Sequence, residues 1–402
     1  MKLDRVVYLL ILLYPISAVT IKVAPPLIFI ILALMGVYIS IRDRLSPFTV
    51  PRLRLFSWVT LGYFAVMVLS VALSSESTVE WTHLSRKIQF LLAPFVGLIL
   101  YNIDVPIKKV ISSIKIGTLI AGAIVVVEYI WGVDGRLSGM FNPNSFADML
   151  SIMLLVVMVS IVKESKKKYL WSLVAVLLAT VAMVLSGARG SMLSFLLMLP
   201  LVGYMLYITN TNHRMRIFVV LASTISVFAF TSISLTNLQD RVSDATRDID
   251  RWESTPEVSS SVGNRLEMYR SGLWAFAYSP WVGYGYREAN RVASRYATVG
   301  AENGVSRHTH LHNEILTNMV SAGALGLVAL LLLYLLPLRK FIINLREKRE
   351  IQQSMIGVVL IVGYLLLGMT HGMLEWEYEN SFFLYFLAIS LLLGRESLDT
   401  KV

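Results

Sequence analysis

Apolar runs long enough to cross a bilayer follow one another from residue 6 to residue 394. Twelve are counted: 6–21, 23–41, 55–73, 87–101, 110–131, 146–162, 170–185, 191–209, 217–235, 312–337, 353–370 and 380–394. About 20 apolar residues in a helix span the hydrocarbon core. Lipid offers no partner to a backbone N–H or C=O, so each such run has to close its own hydrogen bonds as a helix. The expected fold class is therefore an all-α polytopic membrane protein with about 12 transmembrane helices. Composition agrees: 56% of the 402 residues are hydrophobic and 15% charged, whereas soluble domains carry about 25% charged residues. There is no cysteine, which excludes disulfides and thiolate chemistry. Met1-Lys-Leu-Asp-Arg5 and the run behind it lack a small-residue cleavage site, and Pro25-Pro26 leads directly into another run. The first run is read as a retained span.

The net charge of +10 is a matter of topology rather than nucleic-acid binding. With the N-terminus in the cytoplasm, 21 Lys and Arg fall in cytoplasmic segments, among them Arg42, Arg44, Lys108, Lys109, Lys163, Arg214, Arg339 and Lys340. Five fall in short outer loops or helix ends: Lys22, Arg86, Lys87, Arg136 and Arg189. The positive-inside rule then puts both termini in the cytoplasm, and the basic excess suits anionic lipid.

Three units follow: residues 1–235 with spans one to nine, a large outer loop at 236–311, and 312–402 with spans ten to twelve and a cytoplasmic tail. The loop carries nine Arg and nine Asp/Glu. Its charges over 237–251 recur at helical spacing, and 254–263 reads as a flexible connection. Asn264–Ala277 reads as an amphipathic helix with Leu266, Tyr269, Leu273 and Phe276 as its apolar stripe. Ser279–Tyr286 is a Gly- and aromatic-rich turn, and Asn142-Pro-Asn144 another turn.

Three outer constellations carry chemistry. Leu185-Ser-Gly-Ala-Arg-Gly-Ser191 puts Arg189 at the membrane surface, where a guanidinium either forks onto phosphate or snorkels to headgroups. Gly263-Asn-Arg-Leu-Glu-Met-Tyr-Arg270 puts Arg265 at a helix start, favourable for an anion; the alternative is that Arg265 and Glu267 are plain surface charges. His308, His310 and His312 alternate, so an extended segment holds them on one face. They read as part of a zinc site or as a source of one general base at the head of a span. No His-Glu-x-x-His motif supports zinc. His312 fits the base best, with Asn313 or Glu314 to orient it, and Gly323 and Gly326 below allow close approach of a helix or a lipid tail. His371–Glu379 is acidic and aromatic, either a sugar contact or an interfacial belt with solvated acids.

His312-Asn313, nine residues, then Gly323-x-x-Gly326 resembles the His-Asn-x9-Gly-x-x-Gly pattern of O-antigen ligases. Ser186-Gly-x-Arg189-Gly190 is similar to that family's arginine before a transmembrane helix. Gly263-Asn-Arg265 with Pro280-Trp-Val-Gly-Tyr-Gly285 is similar to the body of its periplasmic loop. The overall layout agrees over most of the chain, while the specific motifs occupy 186–326. The resemblance implies a membrane-embedded glycosyltransferase of the GT-C type in the bacterial inner membrane, with its site facing the periplasm. It implies an undecaprenyl-diphosphate-linked O-antigen donor, a lipid A–core acceptor, and neither metal, cofactor nor nucleotide sugar. Arg189 and Arg265 are then donor-diphosphate ligands and His312 the catalytic base. O-antigen polymerases and protein O-oligosaccharyltransferases share these motifs. A lipid-linked glycan transporter is the alternative of another class, expected to show broken helices and a polar path at mid-depth.

Overall fold

The computed structural model describes residues 2–74, 81–235, 247–248, 252 and 260–393. Among the described residues every regular element is helical. The elements are α1 (Lys2–Ser17), α2 (Ala24–Arg42), α3 (Pro51–Leu73), α4 (Ile88–Asn102), α5 (Ile107–Ile130), α6 (Pro143–Ile161), α7 (Lys166–Leu185), α8 (Arg189–Thr209), α9 (Arg214–Leu235), α10 (Ser261–Tyr278), α11 (Ala289–Ala293), α12 (Glu302–Ser306), α13 (Glu314–Arg346), α14 (Ile351–Leu367) and α15 (Glu377–Leu392). Each of the twelve apolar runs falls on one of these helices. Nine are long and apolar enough to cross a membrane among the described residues. The other three, α1, α14 and α15, have 16, 17 and 16 residues. The expected helix over 237–251 lies almost wholly outside the described residues.

Helix α6 is the hub, and every side chain from Ser145 to Ile161 is buried. Helix α15 is likewise buried from Tyr378 to Leu392. The helices around them bury one stripe and expose the other, as lipid-facing helices do. Lipid supplies no hydrophobic drive for helix pairing, so close approach at small residues has to hold the bundle. A Cβ on Gly36 would reach the Phe95 side chain at 3.0 Å, one on Gly97 the Phe56 ring at 3.1 Å, and one on Gly122 the Ala179 nitrogen at 3.1 Å. At one end of the bundle basic groups tie the turns together. Arg216 Nη1 donates to the Glu164 carbonyl at 2.6 Å, and Arg52 pairs with Glu350 at 2.6 Å. His308, His310, His312 and His371 lie at the other end.

Helix α13 is broken. Ala322 (φ −132°, ψ 17°) and Gly323 (φ 62°, ψ −153°) leave helical geometry, and the Pro280–Gly285 turn fills the break. Tyr284 N donates to Val320 O (3.0 Å), Gly285 N to Ser321 O (2.8 Å) and Ala324 N to Pro280 O (2.7 Å). Non-helical backbone at membrane depth survives only when protein satisfies its polar groups, and this turn does so. The Trp281–Val282 backbone occupies the space beside Gly323. The side of Gly323 expected to admit a helix or lipid tail is thus closed by the chain's own turn. A Cβ on Gly326 would meet Ala322 Cβ and Asn318 O, each at 2.6 Å, in the same helix.

Helix α10 starts at Ser261, three residues before the expected start, because Ser260 caps it: its Oγ accepts from Gly263 N at 3.0 Å. Its buried side is also rotated from the expected stripe. Met268 and Ala275 are fully buried, whereas Leu273 is 55% exposed. Met268 and Ala275 join Leu311, Leu316 and Val320 in a small second core that seats α10, α11 and α12 on the head of α13.

Candidate active site at the head of α13

Residues 308–313 connect α12 to α13, and each end of this loop is pinned. Leu311 sits in the second core, and its N–H donates to Thr317 Oγ1 at 3.2 Å. Asn313 caps α13, its side-chain oxygen accepting from Leu316 N at 2.9 Å. His312, held between them, takes φ +50°, a left-handed conformation that is uncommon outside glycine and worth a functional question. Tyr269 Oη, from α10, lies 3.0 Å from the His312 carbonyl and 2.9 Å from that of Met369. Asn313 and Glu314 do not orient the imidazole as expected. Asn313 is spent on the cap, and the Glu314 carboxylate turns inward to accept from Leu374 N (3.0 Å) and Asn318 Nδ2 (2.7 Å).

The ring of His312 instead belongs to a histidine cluster. Its Nε2 lies 3.4 Å from His308 Nδ1, and His308 Nε2 lies 3.0 Å from Asn264 Nδ2. The His310 and His371 rings are centred 4.5 Å and 6.3 Å away. His312 Nδ1 is buried with no hydrogen-bond partner among the described residues. Among those residues no group of three His, Cys, Asp or Glu is arranged to hold a metal ion.

Electrostatics divide the four rings. Burial, then the charges of Arg265, His371 and His308, push His312 down to about 3. Burial, Arg307 and Arg265 lower His308, and burial with the neighbouring histidines lowers His310 well below its ordinary value. Burial also acts to lower His371, but the Glu379 charge and the hydrogen bond and charge of Asp148 outweigh it and raise His371 to about 9. The cluster therefore holds three neutral imidazoles beside one imidazolium.

Arg265 acts on this cluster through its charge, whereas Arg189 is tied to it through the backbone of its own turn. Arg189 opens α8 after the turn at Gly187 (φ +66°). Gly190 abuts Thr370, whose Cβ would lie 3.0 Å from an added Cβ. Ser191 Oγ donates to Asp148 Oδ1 at 2.5 Å, and Asp148 Oδ2 meets His371 Nδ1 at 2.8 Å. The backbone carrying Arg189 is thereby docked on His371. Arg265 lies near enough for its charge to act on both His308 and His312. It sits in the second turn of α10, so the expected help from a helix N-terminus does not apply at its position. Neither guanidinium has a hydrogen bond or ion pair with a described residue, and Arg189 is exposed. Arg270 is different: it grips the fully buried Glu267 at 2.6 Å, so Glu267 is no surface charge.

Sequence reasoning missed Asp148 and underread His371. Asp148 is the one acid inside α6, and an ionisable residue within a span is by default a functional candidate; that signal was available. Glu375 and Glu379 are buried, which leaves Glu377, 40% exposed and paired with Arg86 at 3.3 Å, as the acid of the last loop that meets solvent. Arg287, half-buried with φ +70°, also faces the cluster, where its charge acts on His310. Asn142 caps α6 through Asn144 N at 2.9 Å.

Comparison with known proteins reaches the same region. The O-antigen ligase family model matches residues 173–331, a stretch that includes Arg189, Arg265 and His312. A protein of Haemophilus influenzae described as uncharacterized is 24% identical over 370 residues, covering 88% of this chain and 90% of its own length. The O-antigen ligase of Escherichia coli is 32% identical over 103 residues, 24% of each chain. This is a multi-pass membrane protein whose residues 173–331 match the O-antigen ligase family model.

Proposed function

We propose that the chain is an O-antigen ligase of the bacterial inner membrane. In this reading it moves a glycan from undecaprenyl diphosphate to a sugar hydroxyl of lipid A–core at the periplasmic face, with both termini in the cytoplasm. The observation that carries it is a neutral histidine at the head of a membrane helix, with the Arg265 charge acting on it and the turn that bears Arg189 docked on the neighbouring His371.

Height supports a lipid-linked substrate. Arg339 and Lys340 mark the basic end of α13. Counting back about 30 Å of hydrocarbon at about 1.5 Å per residue reaches Met319. His312 then stands roughly 10 Å beyond the hydrocarbon, at the level of headgroups. A diphosphate joined to a polyprenyl chain rests at that level.

The chemistry uses the chain's own groups. The acceptor oxygen bonds to the anomeric carbon as the bond from that carbon to the phosphate oxygen breaks, with inversion. The acceptor proton passes to His312, and undecaprenyl diphosphate departs with the bonding electrons. Arg189 and Arg265 stabilise the charge that grows on it, an effect larger in the transition state than before. A base held near 3 is neutral but weak. Diphosphate bound against Arg265 offsets the charge that lowers His312, so donor binding strengthens the base. With the Asn264 amide turned so that its otherwise partnerless Oδ1 accepts from His308 Nε2, His308 Nδ1 accepts from His312 Nε2 and leaves Nδ1 of His312 for the acceptor, a contact that need tighten only in the complex.

The test is a reconstituted transfer with purified protein, undecaprenyl-diphosphate-linked O-antigen and lipid A–core, resolved on a gel beside an established ligase. Glycan on the core supports the proposal. Longer lipid-linked chains formed without core would mean a polymerase, and no product with a working control would move the reading to a protein acceptor or to transport.

A further inference from the structure

The outer half of α10 and the turn behind it expose a run of large apolar side chains. Leu273, Trp274, Tyr278 and Trp281 are 55%, 54%, 69% and 73% exposed. The opposite side of the helix is packed, through Met268 and Ala275. Two tryptophans and a tyrosine exposed within eight residues need a partner on a folded surface.

The break in α13 says where that surface lies. Trp281 O accepts from Leu325 N at 3.4 Å and Pro280 O from Ala324 N at 2.7 Å, so the turn sits beside residues 324–325 of a membrane helix. By the count from Arg339, this is about 5–10 Å inside the hydrocarbon boundary at Met319. Immediately below, α13 presents its own exposed apolar side chains, Leu325, Val328 and Leu332. The aromatic edge is thus continuous with a lipid-facing helix surface, running inward from the interfacial level where Trp and Tyr gather in membrane proteins. Nearer the start of α10 the environment changes, with Arg265, Arg270 and the hydrogen bond of Tyr269 to the His312 carbonyl.

We propose that Leu273–Trp281 is a membrane anchor that dips into the outer edge of the leaflet on the histidine side, where headgroups meet acyl chains. One helix then serves two media. Its aromatic end is fixed in lipid, and its polar end holds Arg265 and the His312 backbone at a set height above it. The stretch expected to be an external loop is, over α10 and the turn, a re-entrant element.

The chain has no cysteine, so a single introduced cysteine carries a spin label without background. Trp274→Cys and Trp281→Cys in the full chain are labelled in phosphatidylcholine–phosphatidylglycerol vesicles. Collision rates are read with oxygen, which concentrates in lipid, and with a water-soluble nickel chelate. Val299→Cys (Val299 is 95% exposed) and Leu332→Cys (Leu332 is 47% exposed) bracket water and hydrocarbon. The expected oxygen-to-nickel ratio at 274 and 281 lies well above that at 299 and approaches that at 332. A ratio equal to that at 299 overturns the proposal. So does a label that neither reagent reaches, which would mean that protein covers this edge. If Trp281→Cys does not fold, Tyr278→Cys reads the same edge.

Discussion

Replacing Gly323 by alanine tests the clasp between the 280–285 turn and α13. At φ 62° and ψ −153° the residue occupies a region that is nearly glycine's own, and a side chain there costs about 1–3 kcal/mol in backbone strain. The new Cβ would also lie 2.5 Å from Val282 N and within the Trp281 carbonyl group. These are backbone atoms, so no rotamer change relieves the contact. Parting the turn from the helix gives up the bonds Tyr284–Val320, Gly285–Ser321, Ala324–Pro280 and Leu325–Trp281, about 1 kcal/mol each. Straightening α13 into regular helix recovers part of that loss but expels the turn and draws α10 away from His312. The expected destabilisation is about 3 kcal/mol or more, with transfer largely lost even in protein that stays folded. Gly62→Ala is the comparison, because a Cβ there meets nothing within 4 Å and alanine favours a helix by about 0.5–1 kcal/mol. Melting would be followed in nanodiscs beside the glycan-transfer assay. A Gly323→Ala protein that melts with Gly62→Ala and transfers at the parental rate would refute the argument.

Other expectations concern the site. His312→Asn keeps a residue that tolerates left-handed backbone, yet it should lose about 10²–10⁴-fold in turnover, as should His312→Ala; normal turnover by either removes the base assignment. Arg189→Lys and Arg265→Lys keep a charge and lose the fork, so kcat/KM should fall roughly 10–100-fold, the value of one charge-assisted hydrogen bond. Exhaustive chelation should leave transfer intact, since guanidiniums supply the positive charge. His371 is raised from 6.5 to about 9 by Glu379 and Asp148 against its burial. Its stabilising contribution is therefore complete below 6.5 and lost as pH rises through 9, up to roughly 3 kcal/mol. The stability gap between the parent and His371→Gln should shrink from pH 6 to pH 10; a constant gap would contradict the charged ring. If diphosphate strengthens His312, the acid limb of kcat should sit at higher pH than that of kcat/KM.

The bundle was legible because lipid leaves an apolar run few options. Runs such as 110–131 and 146–162 appear as α5 and α6 within a few residues. The long-range pairs were not legible. His371 and Asp148 are 223 residues apart, and no local pattern announces such a partner. His312 is legible from its place at the head of a span, but no local signal singles out its neighbour His308, although the Asn264–His308–His312 contacts make it the ring's nearest support. Gly323 was read as a small packing residue. Its positive φ depends on a turn 40 residues earlier in the chain, which helical periodicity does not report. The rotated face of α10 has a similar cause: Leu273 is apolar for an environment other than the protein's core.

The cluster's scattered origin has a consequence for biosynthesis. Asp148 emerges early, Arg189 next, then Arg265 and His312, and His371 with Glu379 only as the final helix is made. Until then α6 carries an acid in a bilayer with no imidazolium to meet it. A chain interrupted before residue 371 lacks the ring that Asp148 meets, and an unpaired acid within a span is costly. The pair that ties α6 to the end of α14 therefore forms late, when the segment carrying His371 joins the bundle.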